Sequence, residues 1–121
     1  IYVGVVHLVS CSGNKERMFA DMGRPAWNKG MGHQDDDREL LERASPINYL
    51  DNIKGDLFVI HGRRDRNVSY KQVLELKNAL DDKGIPYEYM IRGDEAHGFY
   101  AETNNLELYV EMEKFLKRNL N

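Results

Sequence analysis

Leu57, Phe58, Val59 and Ile60 form an unbroken apolar run. A strand with one face in water alternates apolar and polar side chains, whereas an unbroken run suits a parallel strand covered on both faces. Such cover requires helices, and the sequence supplies one directly afterwards. Ser69 and Gln72 have the spacing of a capping box, and Val73, Leu76 and Leu80 follow at helical intervals with Ala79 beside them. Gly84 and Pro86 stand where that helix should end. The segment 87–91, Tyr-Glu-Tyr-Met-Ile, then reads as the next strand. Strand, helix and strand in this order join two parallel strands by a crossover.

The flanking segments extend the pattern. Residues 1–10 are β-branched and apolar and read as an earlier strand, ended by Ser10, Cys11, Ser12, Gly13 and Asn14. Gly23, Pro25, Gly30 and Gly32 break up residues 14–34, which read as a surface excursion with one short helical turn. Asp36 and Glu39 form a second capping box, for a short helix reaching about Ala44 and stopped by Ser45 and Pro46. Asn104 and Glu107 suit the start of a last helix, whose apolar stripe is Leu108, Met112, Phe115, Leu116 and Leu120. The expected fold class is α/β, with three parallel strands, flanking helices, no repeats and no second domain within residues 1–121.

Composition narrows the function. The chain has 121 residues, 41% of them hydrophobic, which is enough for a core. Seventeen basic residues face twenty acidic ones, and a net charge of −3 gives no electrostatic case for a nucleic-acid or membrane partner. No apolar run approaches the length of a bilayer span. Cys11 is the single cysteine, so no internal disulfide can form. The sequence opens on Ile1 without an initiator Met, as if inside a strand, and its compartment stays open.

Open α/β sheets place their ligands beyond the carboxyl ends of the strands. Asp65 and His97 each fall on a loop just past an expected strand. Asp65 can accept from His97 Nδ1, which raises the basicity of the ring and leaves Nε2 for a nucleophile. Acid before histidine is also the chain order of the α/β-hydrolase triad. Gly98 would let the backbone turn tightly after the histidine. Taken singly, Asp65 is also a good turn residue before the helix at Ser69, and His97 a good loop histidine beside Asp94 and Glu95. Their joint placement favours the pair.

No Gly-x-Ser-x-Gly occurs in the chain. Ser10, Ser12, Ser45 and Ser69 lack a nucleophile-elbow context, and nothing basic in sequence marks Cys11 as activated. His33 with Asp35, Asp36 and Asp37 has no ligand spacing of a known metal site, so no metal and no cofactor are expected. His61 ends a strand, where a structural hydrogen bond is the simpler role, and His7 should pack within the first strand. Arg63, Arg64 and Arg66 form a small basic patch near the pair, with a solvated loop as the default reading.

His61-Gly62-x-x-Asp65-x-Asn67-Val68, followed by Asp94-Glu95-x-His97-Gly98, resembles the C-terminal end of the prolyl oligopeptidase family of serine peptidases. The resemblance is clearest from Ser45 to Leu120 and weaker from Ile1 to Pro25. It implies the C-terminal portion of an α/β-hydrolase domain, lacking the N-terminal strands and the nucleophile elbow. It also implies an acyl-enzyme peptidase with Asp65 and His97 as triad acid and base and the serine upstream. Asn67 matches a residue that holds a substrate carbonyl, and Val68 a residue in the wall of the S1 pocket. An Asx-type turn for Asn67 and a core contact for Val68 are equally compatible. Arg17, Met18 and Phe19 stand where the family's dipeptidyl peptidases shape a proline pocket with Trp and Tyr, so a broader acyl-aminoacyl preference stays open.

The implied partners are a peptide substrate and the remainder of the hydrolase domain. The exposed edge would be covered by that remainder or by a second copy. A carboxylesterase or dienelactone-type hydrolase, and a non-catalytic α/β binding module, are the alternative functions.

Overall fold

The computed structural model describes residues 1–2, 4–12 and 20–120, with backbone only at 20–24. In chain order they form α1 (Leu8–Ser12), α2 (Ala20–Met31), α3 (Arg38–Ala44), a 3₁₀ segment (Pro46–Asn52), β1 (Phe58–Gly62), α4 (Tyr70–Asp82), β2 (Glu88–Arg92) and α5 (Glu102–Asn119). The positions of Arg17, Met18 and Phe19 lie outside the described residues.

β1 and β2 pair in parallel, with Phe58 opposite Glu88 and Gly62 opposite Arg92. As the apolar run required, β1 is covered on both faces. Val59 packs with Val6, Leu50, Val73, Leu76 and Leu80 on the α4 side. Ile60 packs with Met90, Phe99 and Leu108 on the α5 side. A third cluster, Leu8, Val9 and Leu41 with Val5 and Trp27, joins α1 to α2 and α3.

α4 is bounded as its sequence demanded. Ser69 is the N-cap, its side chain accepting from Lys71 N–H. At the other end Gly84 adopts φ +64°. Ile85 N–H reaches Leu80 O and Gly84 N–H reaches Asp81 O, at 2.9 and 3.0 Å. These are the paired bonds of a Schellman motif, and they turn the chain back towards β2.

The reading of residues 1–10 as a strand is corrected. Among the described residues the sheet has two strands, and the amino-terminal segment adds a parallel bridge between Tyr2 and Ile60. The Ile1 nitrogen donates to Phe58 O at 2.7 Å, and Ile60 N–H donates to Ile1 O at 2.8 Å. Beyond that bridge, side chains take over the backbone groups a strand would have used. Gln72 Oε1 accepts from the N–H groups of Val6 and His7, and Ser45 Oγ accepts from Leu8 N–H. The chain then coils into α1.

Residues 20–31 are likewise a twelve-residue helix, despite Pro25 inside it. Of the four expected breakers, Gly32 alone acts as one, ending α2 with φ +106°. Trp27 holds the helix down, its Nε1–H donating to Ser12 Oγ at 2.9 Å. Two caps also differ from expectation. Asp37 rather than Asp36 precedes α3, and its carboxylate turns outward to His33 N–H. α5 starts at Glu102, ahead of Asn104, whose side chain donates to Asp94 and Glu95 instead.

Candidate active site

The β1 and β2 ends are drawn together by main-chain contacts. Arg63 N–H donates to Arg92 O at 2.8 Å, and Arg64 N–H to Glu95 O at 2.9 Å. Gly62 makes this approach sterically feasible. A Cβ there would clash with the carbonyl oxygens of Ala96 and Glu95. The loop after β2 thus rests against the loop after β1, and each carries one member of the expected pair.

His97 Nδ1 lies 2.9 Å from Asp65 Oδ2. The Asp65 side chain is fully sealed from solvent, whereas that of His97 is 39% exposed. A buried carboxylate is costly unless its oxygens are hydrogen-bonded. Oδ1 is satisfied by the N–H groups of Asn67 and Val68, both at 2.8 Å. Oδ2 is left for the histidine. An ionised carboxylate accepts only, so Nδ1 carries the proton and Nε2 keeps its lone pair. The turn around His97 is tight, with Ala96 bridged to Gly98 and Gly98 at φ +94°.

His61 supports the acid from below. It is 1% exposed, and its Nε2–H donates to Val68 O at 2.9 Å. This bond fixes the same turn that presents the Asn67 and Val68 N–H groups to Asp65. His61 Nε2 also lies 3.5 Å from Asp65 Oδ2. Burial pushes the His61 pKa below its ordinary value, against the Val68 bond and the Asp65 charge, while His97 pushes the same way as burial. His61 is therefore a neutral brace.

Asn67 is half-buried and donates its N–H to Asp65 Oδ1, so the Asx-type turn here is made by the Asp65 side chain. Val68 is buried among the core residues. Arg63 lies over the Tyr70 ring at 5.2 Å, and Arg64 and Arg66 are exposed. His7 is held by carboxylates rather than simply packed, its Nδ1 2.9 Å from Glu75 Oε2 and its Nε2 3.4 Å from Glu42 Oε2. Ser10 Oγ donates to that same Glu75 and accepts from Gln72, so it belongs to a structural network. Among the described residues no cluster of His, Cys, Asp or Glu is arranged to hold a metal ion. Nor is any helix there long and apolar enough to cross a membrane.

The roles of two motif residues were not foreseen: Gly62, as the point of backbone approach, and Glu95, which is buried at 3% exposure. A glycine directly after a buried strand was the available signal for the first. For Glu95 the sequence offered its place in the Asp94-Glu95-x-His97-Gly98 motif, with no role attached to it.

A parallel sheet with an acid and then a histidine beyond its strand ends follows the chain order of the α/β-hydrolases. The chain belongs to the prolyl oligopeptidase family, whose model matches residues 2–121. It is 29% identical to dipeptidyl peptidase 4 of Bos taurus over 90 residues, covering 74% of this chain and 12% of that protein. It is 30% identical to dipeptidyl aminopeptidase BIII of Pseudoxanthomonas mexicana over 105 residues, covering 87% of this chain and 14% of that protein. The fold is similar to that of the Pyrococcus horikoshii acylaminoacyl peptidase, with TM-score 0.82 at 21% identity, over 98% of this chain and 19% of that one. The chain thus spans 12–14% of the length of these two curated relatives.

Proposed function

We propose that this segment supplies the acid and the base of a Ser-His-Asp triad in a serine peptidase, with the serine elsewhere in the full-length protein. The observation that carries this reading is the 2.9 Å contact of His97 Nδ1 with the sealed Asp65 carboxylate. In the proposed cycle the serine Oγ attacks the peptide carbonyl as its proton passes to His97 Nε2. The carbonyl electron pair moves onto oxygen, and Asp65 stabilises the imidazolium. Collapse of the tetrahedral species breaks the C–N bond, and His97 returns the proton to the departing amine. Water, deprotonated by His97, then releases the acyl group by the same steps in reverse roles.

Asn67 stands beside Asp65, where its amide can hold a substrate carbonyl, and Val68 backs the S1 wall. The names of the relatives point to short peptides released as dipeptides or acylated residues from a chain's amino end. The bridge at Tyr2 is taken as the end of a third strand that continues the sheet. Residues 1–121 alone should be catalytically silent.

The test is fluorophosphonate labelling of the full-length protein, with hydrolysis of aminoacyl nitroanilides. Asp65→Asn should lower kcat by about ten-thousandfold. His97→Ala should lower it by about a millionfold. Turnover of p-nitrophenyl esters without nitroanilides would favour an esterase. An unlabelled full-length protein, indifferent to both substitutions, would indicate a binding module.

A further inference from the structure

We propose that Glu95 is a positioning residue for His97, a role that rests on the triad reading above. Glu95 grips the histidine loop at both ends. Its carboxylate reaches forward, Oε2 accepting from Tyr100 N–H at 2.8 Å and Oε1 from Ala101 N–H at 3.0 Å. Asn104 Nδ2, in the first turn of α5, also donates to Oε1, at 2.7 Å. These bonds close residues 95–101 into a ring anchored on the start of α5. The Glu95 carbonyl reaches the other way, accepting from Arg64 N–H at 2.9 Å, one residue before Asp65. One residue therefore ties the His97 loop to the Asp65 loop by main chain and to α5 by side chain.

His97 sits inside the ring. Its own carbonyl accepts from Tyr100 Oη at 3.2 Å, and the next peptide is fixed by Phe99 N–H donating to Tyr2 Oη at 2.8 Å. Burial works to raise the Glu95 pKa, but the bonds from Asn104, Tyr100 and Ala101 outweigh it and hold the carboxyl below the usual glutamate value. The group is anionic at neutral pH, and its acceptor sites are directed at the ring. Without it the Tyr100 and Ala101 N–H groups lose their acceptor and Asn104 keeps only Asp94, so the ring that aims Nδ1 at Asp65 can open. A misplacement of about 1 Å at such a position costs about a hundredfold in rate.

The experiment compares Glu95→Gln and Glu95→Ala in the full-length protein, each alone and combined with His97→Ala. Glu95→Gln keeps the shape and one acceptor oxygen, and should lower kcat about tenfold with KM little changed; Glu95→Ala should lower it about a hundredfold. A weaker Asp65 bond makes the His97 imidazolium less stable, so the acid limb of the kcat/KM profile should move to lower pH. In the His97→Ala background Glu95→Gln should cost nothing further, since it acts through the histidine. Equal losses in both backgrounds, or an acid limb that stays in place, would overturn the inference. Should Glu95→Ala not fold, Glu95→Gln decides.

A second readout does not need turnover. The His97 Nδ1 proton resonance should lie downfield in the parent, as its 2.9 Å contact with Asp65 requires, and should broaden or move upfield in Glu95→Gln. If His97→Ala still labels with fluorophosphonate, the triad reading fails and this resonance alone judges whether Glu95 positions the ring. If His97→Ala is silent while Glu95→Gln keeps the parental resonance and profile, the Glu95 inference alone fails.

Discussion

Asp65 divides its work between its two oxygens. Oδ1 closes the turn through the Asn67 and Val68 N–H groups, and Oδ2 holds His97. In sequence a turn aspartate and a histidine partner are rival readings, because one letter does not show that a carboxylate can serve both ways. The structure shows the turn to be what buries the acid, so both contacts belong to one arrangement. Gly62 tests how tightly that arrangement is held. Gly62→Ala would press a methyl against the Ala96 and Glu95 carbonyls. It should cost about 1–3 kcal/mol, measured by urea unfolding, and should weaken the His97 Nδ1 signal. An unshifted urea midpoint would mean that the two loops can part without strain.

The pH response also belongs to single residues. Burial holds native His61 below its unfolded value of 6.5. Below that pH the unfolded chain takes up a proton that native His61 does not, so stability falls as pH drops and is full above it. The slope can reach about 1.4 kcal/mol per pH unit for one proton. Glu95 acts in the same direction further down. Its native pKa lies below 4.5, so its contribution is full above that value and is lost as pH falls through the native one. His61→Gln should flatten the first limb, read as urea midpoints on either side of pH 6.5, and leave the second in place. A parent whose stability does not change between neutral and mildly acidic pH would contradict this account.

At the scale of elements, α4 shows why one half of the chain was legible and the other was not. Its cap at Ser69, its stripe and its Schellman end are local, each set by residues within a few positions, and all three read correctly. Gln72 did not. Its spacing from Ser69 suggested a capping box, but its amide instead spans to the other end of the sequence. It accepts from Val6 and His7 N–H and donates to His7 O and Ser10 Oγ. No local pattern announces partners more than sixty residues away. The same bonds explain why Val6 and His7 do not extend the sheet, since their backbone groups are already claimed. Gln72→Met keeps the volume but leaves the Val6 and His7 N–H groups unpartnered. It should destabilise the protein by about 2 kcal/mol or more in urea unfolding, and speed amide exchange at positions 6 and 7. Parental exchange at those two amides would show that another acceptor replaces Gln72.

On the scale of the whole molecule, β1 is covered on both faces while apolar side chains around it stay exposed. The β1 side chains are enclosed between the α4 and α5 clusters, which is why an unbroken apolar run sufficed to place the core. α5 turns Leu108 inward and Phe115 onto Phe58, at 5.4 Å between rings. Its other stripe faces solvent: Leu106, Tyr109, Leu116 and Leu120 are 67%, 66%, 46% and 70% exposed. Ile1 and Tyr2, beside the sheet, are 45% and 41% exposed. Exposed apolar side chains and a sheet edge with open backbone groups both favour association. Residues 1–121 prepared alone should therefore run above monomer mass in light scattering, more so as concentration rises. Leu106→Lys with Tyr109→Glu should lower that mass without changing the Asp65–His97 contact, since both side chains face solvent. A monomer that unfolds cooperatively at every concentration would show that 121 residues bury enough apolar surface by themselves.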